Sequence, residues 1–259
     1  MGTPGYIDLT WKEVEELDRP GMILLLPVGS IEQHGPHLPL DTDTITALYL
    51  AEKLVDISKG FNLIIAAPFR YTYAKPSTVF PGTISIGGET LIRLTHDVLR
   101  SFIEQNFKRI LIINSHMENT DFLIEGIALC LEKTDSTKIV LANWWELVNE
   151  SDLKRIFGQD WKGWMDEHAA LVETSLMMFM VPELVRQKKI VDDQRKSPFE
   201  FRVFPWDIAN YPPSGVFSRT SGASRERGER LIKLVLKELN KLIEIQFTQA
   251  KGINRQDPS

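Results

Sequence analysis

The chain has 259 residues, with 30 Lys and Arg against 35 Asp and Glu, a net charge of −5. Apolar residues make up 43% and charged residues 25%, ordinary for a globular protein, which excludes disorder as the main state. A chain of this length buries roughly three quarters of its unfolded surface and is expected to form a single domain over residues 1–259.

Mild acidity without a dense basic run argues against nucleic acid as a partner; Arg186-Gln187-Lys188-Lys189 is too short a run to change this. No apolar stretch of about 18 residues exists, so no membrane helix is expected. The N-terminus lacks a charged-then-apolar signal pattern. Cys130 is the single cysteine, so no internal disulfide can form and a cytoplasmic location is expected. In its apolar surroundings Cys130 reads as a small buried hydrophobe.

Taken in chain order, four short apolar runs predict strands at 22–28, 63–67, 109–114 and 138–142. None alternates with polar residues, as expected of strands covered on both faces. Helical spacing of apolar residues predicts helices at 44–55, 89–107, 119–132 and 227–247. Strand-helix alternation predicts an α/β fold, three layers in αβα order around a mostly parallel central sheet. Four of the six tryptophans lie between Trp144 and Trp164. Residues 196–224, rich in Pro, Gly, Ser and aromatics, read as a long ordered loop.

The chemistry gathers where two predicted strands end, the usual place for ligand sites in open α/β sheets. The first strand runs into Glu32, His34, His37, Asp41 and Asp43, and the third into His116 and Glu118. Glu32 and His34 are spaced to point the same way in extended chain. His116 and Glu118 repeat the pair. With Asp43 these are two imidazoles and three carboxylates, able to hold two divalent ions if one carboxylate bridges them, Zn or Mn suiting such donors. A single His-x-Glu pair is ordinary surface chemistry; two pairs at neighbouring strand ends are not. His37 reads equally as a turn residue or as support behind the site. His96 falls inside a predicted helix and reads as structural.

Three stretches carry a resemblance. PVGSIEQHGPHLPLDTDT at 27–44, NSHMENTDFLIEGI at 114–127 and EHAALVETSLM at 167–177 resemble the signatures of the creatininase family, with shorter likenesses in FPGTISI at 80–86 and ASRERGE at 223–229. The matches keep their order along most of the chain. The resemblance implies an α/β amidohydrolase with two divalent metal ions per chain, Zn or Mn, assembled as a homohexamer and acting on a small cyclic amide, creatinine to creatine foremost. It assigns Glu32 and His116 to one ion, His34 and Glu118 to the other, and Asp43 as the bridge. It makes His168 the proton donor to the leaving nitrogen, a task that suits imidazole near neutral pH. Trp164 and Trp145 resemble the pair that encloses the substrate ring. Glu173 either orients His168 or is a buried partner.

Met117 departs from the pattern, which carries tyrosine there beside the substrate. Methionine lacks the hydroxyl and the rigid ring. The metal site tolerates this change more readily than the substrate preference does, so a linear formamide or a small peptide is the rival substrate. A non-enzymatic metal-binding assembly protein is the remote alternative, set against a complete set of proposed ligands.

Overall fold

The structure, a computed structural model, describes residues 5–131, 137–194 and 204–248. Its centre is a four-stranded parallel sheet of β1 (Ile23–Val28), β2 (Leu63–Ile65), β3 (Arg109–Asn114) and β4 (Lys138–Asn143), in the order β2-β1-β3-β4. Seven α-helices are described: α1 (Trp11–Glu16), α2 (Thr42–Ile57), α3 (Gly88–Glu104), α4 (Thr120–Leu131), α5 (Glu150–Phe157), α6 (Leu171–Met180) and α7 (Arg225–Phe247).

Alternation along the strands divides the core in two. Ile23, Leu25, Leu111 and Ile113 face Leu50, Ala51 and Leu54 of α2, together with α6 and α7. Leu24, Leu26, Ile110 and Ile112 face Leu91, Leu99 and Phe102 of α3 and Leu123 of α4. Both faces are covered, so the strands read as unbroken apolar runs, and the αβα expectation holds. Each fully buried Leu or Ile contributes roughly 1.5–3 kcal/mol by leaving water.

The four predicted strands and four predicted helices are present with ends shifted by a few residues. The helices α1, α5 and α6 were not anticipated. The first two are short: α5 is bounded by Asn149, whose side chain accepts from Asp152 N, and by Gly158 at φ +68°. In α6 Leu171, Val172, Thr174, Ser175, Leu176 and Met177 are all buried, so no polar face marks its period. Within the expected 196–224 loop, residues 204–224 are irregular apart from a single turn at Ile208–Asn210, and 195–203 lie outside the described residues. Cys130 is buried in α4 and His96 lies on α3, both in structural surroundings. Among the described residues no helix is long and apolar enough to cross a membrane.

The register positions the site. Val28 pairs with Asn114, and Asn114 pairs with Asn143, so β1, β3 and β4 end side by side. The Asn114 side chain donates to Asn143 Oδ1 at 2.8 Å and accepts from His116 N at 3.2 Å, tying the turn after β3 to the end of β4. Gly29, the first residue after β1, lies against the start of α2. A Cβ there would meet Thr44 N at 2.3 Å, so only glycine permits the approach that carries Asp43 in beside the strand ends.

Candidate metal centre

Glu32, His34, Asp43 and His116 are all buried, at 4% exposure or less. Polar groups so placed must find partners, and their backbone surroundings aim them at one another. His34 Nδ1 donates to the Glu32 carbonyl at 3.0 Å, so Nε2 faces inward, 3.3 Å from Asp43 Oδ1 and 3.8 Å from Glu173 Oε2. His116 Nε2 donates to the Tyr73 carbonyl at 2.9 Å, so Nδ1 faces inward, 3.1 Å from Glu32 Oε2 and 3.0 Å from Asp43 Oδ2. A carbonyl behind each ring is how ligating histidines are usually oriented.

The supporting contacts leave particular atoms for a ligand. Ser30 Oγ donates to Asp43 Oδ2 at 2.7 Å, and Ser77 Oγ to Glu32 Oε1. Glu32 Oε2 and His34 Nε2 are buried without a hydrogen-bond partner. An orphaned carboxylate oxygen beside His116 and an orphaned imidazole nitrogen turned toward Asp43 fit a cation. Donor atoms of Glu32, His116 and Glu118, and of His34, Asp43 and Glu173, form two groups compact enough to hold a metal ion.

The charges are coupled. Burial opposes ionisation of Glu32 and Asp43, yet the facing histidines outweigh it: Glu32 is drawn down to about 2 by His116, His168 and His34, and Asp43 is lowered by His34 and His116. Burial equally opposes a charge on the rings, but Asp43 and Glu173 hold His34 well above the usual imidazole range, and Glu32 and Glu118 do the same for His116. The cluster demands positive charge, which protons or metal ions can supply.

Glu173 groups with His34 and Asp43, and Glu118 with Glu32 and His116. Glu173 stands in the first turn of α6 and reaches the cluster from there. Glu118, partly exposed, lies 3.1 Å from His116 Nε2, the nitrogen on the outer side of the ring from Asp43.

His168 completes a further group with Glu32 and His34. Its ring centroid lies 4.7 Å from that of His34 and 4.9 Å from that of Phe217, and Phe217 N donates to its carbonyl at 3.0 Å. His37 is fully buried and shares a 2.8 Å hydrogen bond with Thr174, beside Glu173; it supports the site from behind. Burial and the neighbouring His34 hold its pKa down to about 4. Met117 is 41% exposed on the turn between His116 and Glu118.

The tryptophans form one packed group. Trp144 meets Trp145 at 6.2 Å and Trp164 at 5.5 Å, and Trp161 meets Trp164 at 4.8 Å, all edge-on. Trp144 Nε1 donates to Ser115 Oγ, anchoring the group next to His116. Trp164 is partly exposed, whereas Trp145 is only 7% exposed and belongs to the core.

The chain matches the family model for creatininase, described as creatinine amidohydrolase, over residues 7–243. It is 30% identical to creatinine amidohydrolase of Pseudomonas putida over 252 residues, covering 93% of this chain and 96% of that one. It is 29% identical to the mycofactocin precursor peptide peptidase of Mycolicibacterium smegmatis over 221 residues, covering 81% of this chain and 79% of the relative. A solved structure of creatininase in its Mn form superposes with a TM-score of 0.87 at 29% identity, covering 93% of this chain and 98% of that one. A parallel sheet with two adjoining groups of acid and imidazole donors at its carboxyl edge, and a family match along nearly the whole chain, identify this protein as a member of the creatininase family of hydrolases.

Proposed function

We propose that this protein is a metal-dependent amidohydrolase that opens a small cyclic amide, with creatinine to creatine as the leading reaction. The observation that carries the reading is a buried donor cluster with two orphaned atoms, Glu32 Oε2 beside His116 Nδ1 and His34 Nε2 beside Asp43 Oδ1. Glu32 and His116 would hold one divalent ion and His34 the other, with Glu173 or Glu118 as its acid, and Asp43, which faces both histidines, would serve both. Four carboxylates, counting Glu118, balance the charge of two such ions. Zn and Mn both suit this mixture of nitrogen and oxygen donors.

Bound ions supply a water of lowered pKa and polarise the scissile carbonyl. The chain's own groups do the rest. Ser30 and Ser77 hold the second oxygens of Asp43 and Glu32, keeping each carboxylate turned inward. Glu118 stands partly exposed beside His116, where it can hold a proton from the attacking water. His168 is the acid for the leaving nitrogen. Trp164 offers a flat face to a delocalised ring. Trp145, seated in the core, contributes by packing Trp144 rather than by touching substrate.

A second reading keeps the site and changes the substrate to a linear formamide or small peptide. Met117 favours it, because its exposed, flexible chain stands where the family pattern has tyrosine. The test is hydrolysis by protein loaded in turn with Zn and Mn, assayed on creatinine, a formamide and a short peptide. Turnover of creatinine supports the first reading. Turnover of only the formamide or peptide supports the second, and bound metal without hydrolysis of any of them defeats both.

A further inference from the structure

His168 and Glu173 reach the cluster from one turn, and Glu167 stands at the head of that turn with no task in the metal site. The first N–H groups of a helix have no partner within it and must find one elsewhere. In α6 the Glu167 side chain supplies it: Oε1 accepts from Val172 N at 2.7 Å and from Glu173 N at 3.1 Å. The Glu173 side chain answers in the opposite direction, its Oε2 accepting from Ala169 N at 2.5 Å. A backbone N–H only donates, so the direction of all three bonds is determined by the backbone alone.

The turn between the two acids is one that the chain does not favour by itself. Ala169 has φ +53°, in the left-handed region that a residue with a Cβ rarely enters. Such a residue persists where its surroundings fix it. Ala169 is fully buried against Ala170 and Val216, and its N–H is taken by Glu173. The carbonyl of His168, just before it, accepts from Phe217 N at 3.0 Å. With the backbone so set, the His168 ring lies 4.7 Å from that of His34. The Glu173 oxygen that receives Ala169 N is the same one that faces His34 Nε2, at 3.8 Å.

We propose that Glu167 is a positioning residue: by holding the Val172 and Glu173 N–H groups it fixes the turn that brings Glu173 and His168 to the metal cluster. The inference deepens the amidohydrolase reading and rests on it for the tasks given to those two residues. The contacts of Glu167 are with backbone, so its contribution depends on an acceptor oxygen at that place and not on a charge. Groups that orient a metal ligand from behind typically matter about 10–100-fold in metal affinity or activity.

The test compares Glu167→Gln, which keeps an acceptor oxygen at the same reach, with Glu167→Met, which keeps the length and removes the oxygen. Zinc affinity is read by competition with a chelator, and hydrolysis on whichever substrate is turned over. In Glu167→Met zinc affinity and kcat are each expected to fall about 10–100-fold with KM within about twofold, whereas Glu167→Gln restores both to within about threefold. Glu167→Asp, one methylene short of the two N–H groups, is expected to follow Glu167→Met, which covers a methionine variant that does not fold. A merely stabilising side chain would lower the melting temperature and leave zinc affinity and kcat of the folded variants unchanged. That result overturns the proposal, as does a Glu167→Gln protein that loses as much as Glu167→Met. Zinc affinity stands apart from hydrolysis: the expected affinities in a protein that cleaves no amide would sink the amidohydrolase reading and leave the seat intact, and amide hydrolysis with unchanged variants would do the reverse.

Discussion

Asp43 and His116 meet through Oδ2 and Nδ1 at 3.0 Å, although one stands in the first turn of α2 and the other on the turn after β3. The Asp43 Oδ1 atom faces His34 at 3.3 Å. One carboxylate thus spans the two halves of the centre, and its removal should dismantle both.

Asp43→Asn keeps the shape and removes the charge. Metal content measured by atomic spectrometry should drop from about two ions per chain to one or none, with hydrolysis down roughly 100-fold or more. Retention of both ions would defeat the bridging role.

Glu173 and Glu118 are expected to behave differently. Glu173→Gln should weaken binding of the ion at His34, lowering the metal-to-protein ratio after dialysis. Glu118→Gln should retain both ions while kcat falls about 10²–10⁴-fold, the range for lost proton transfer. The reverse pattern would assign Glu118 to the ion at His34.

The pH dependence of metal-free protein follows from the coupled charges. His34 and His116 are raised in the fold, so their contribution is complete below the ordinary imidazole value of 6.5 and is lost as pH climbs through the raised values. Glu32 and Asp43 are lowered, so theirs is present above their ordinary values of 4.5 and 3.8 and is lost as pH falls through the lowered ones, about 2 for Glu32. Metal-free protein should therefore melt highest between about 4.5 and 6.5. Metal needs the imidazoles unprotonated, so the rise in melting temperature on adding Zn should widen from pH 6 to pH 8. A gap that narrows over that range would contradict the assignment.

Gly29→Ala places a methyl group within 2.3 Å of the Thr44 backbone. Backbone cannot swing aside as a side chain can, so a loss of about 1–3 kcal/mol is expected in urea unfolding. Because Thr44 adjoins Asp43, metal affinity should fall as well. An unchanged midpoint would show that the approach of α2 to β1 is looser than described.

Much of this was readable beforehand. The strands at 23–28 and 109–114 announced themselves because burial on both faces needs an unbroken apolar run. Glu32, His34, His116 and Glu118 were readable as polar residues placed where such strands must end. Glu173 was readable only as part of a motif, its task left open. Its helix is buried nearly all round, and a helix without a polar face leaves no period to detect. The contact of Gln33 with His168 joins residues 135 apart, and no local pattern records it.

The sequence by itself determined the α/β class, the strand ends that carry chemistry and the residue types available there, because periodicity and composition are local properties. Only the tertiary structure decided which acid faces which ring: that α6 brings Glu173 to His34, that Glu118 stands behind His116, and that Trp145 is core. Those choices arise from packing between distant segments, where shape and the need to partner every buried polar atom select one arrangement from several that the same residues would allow.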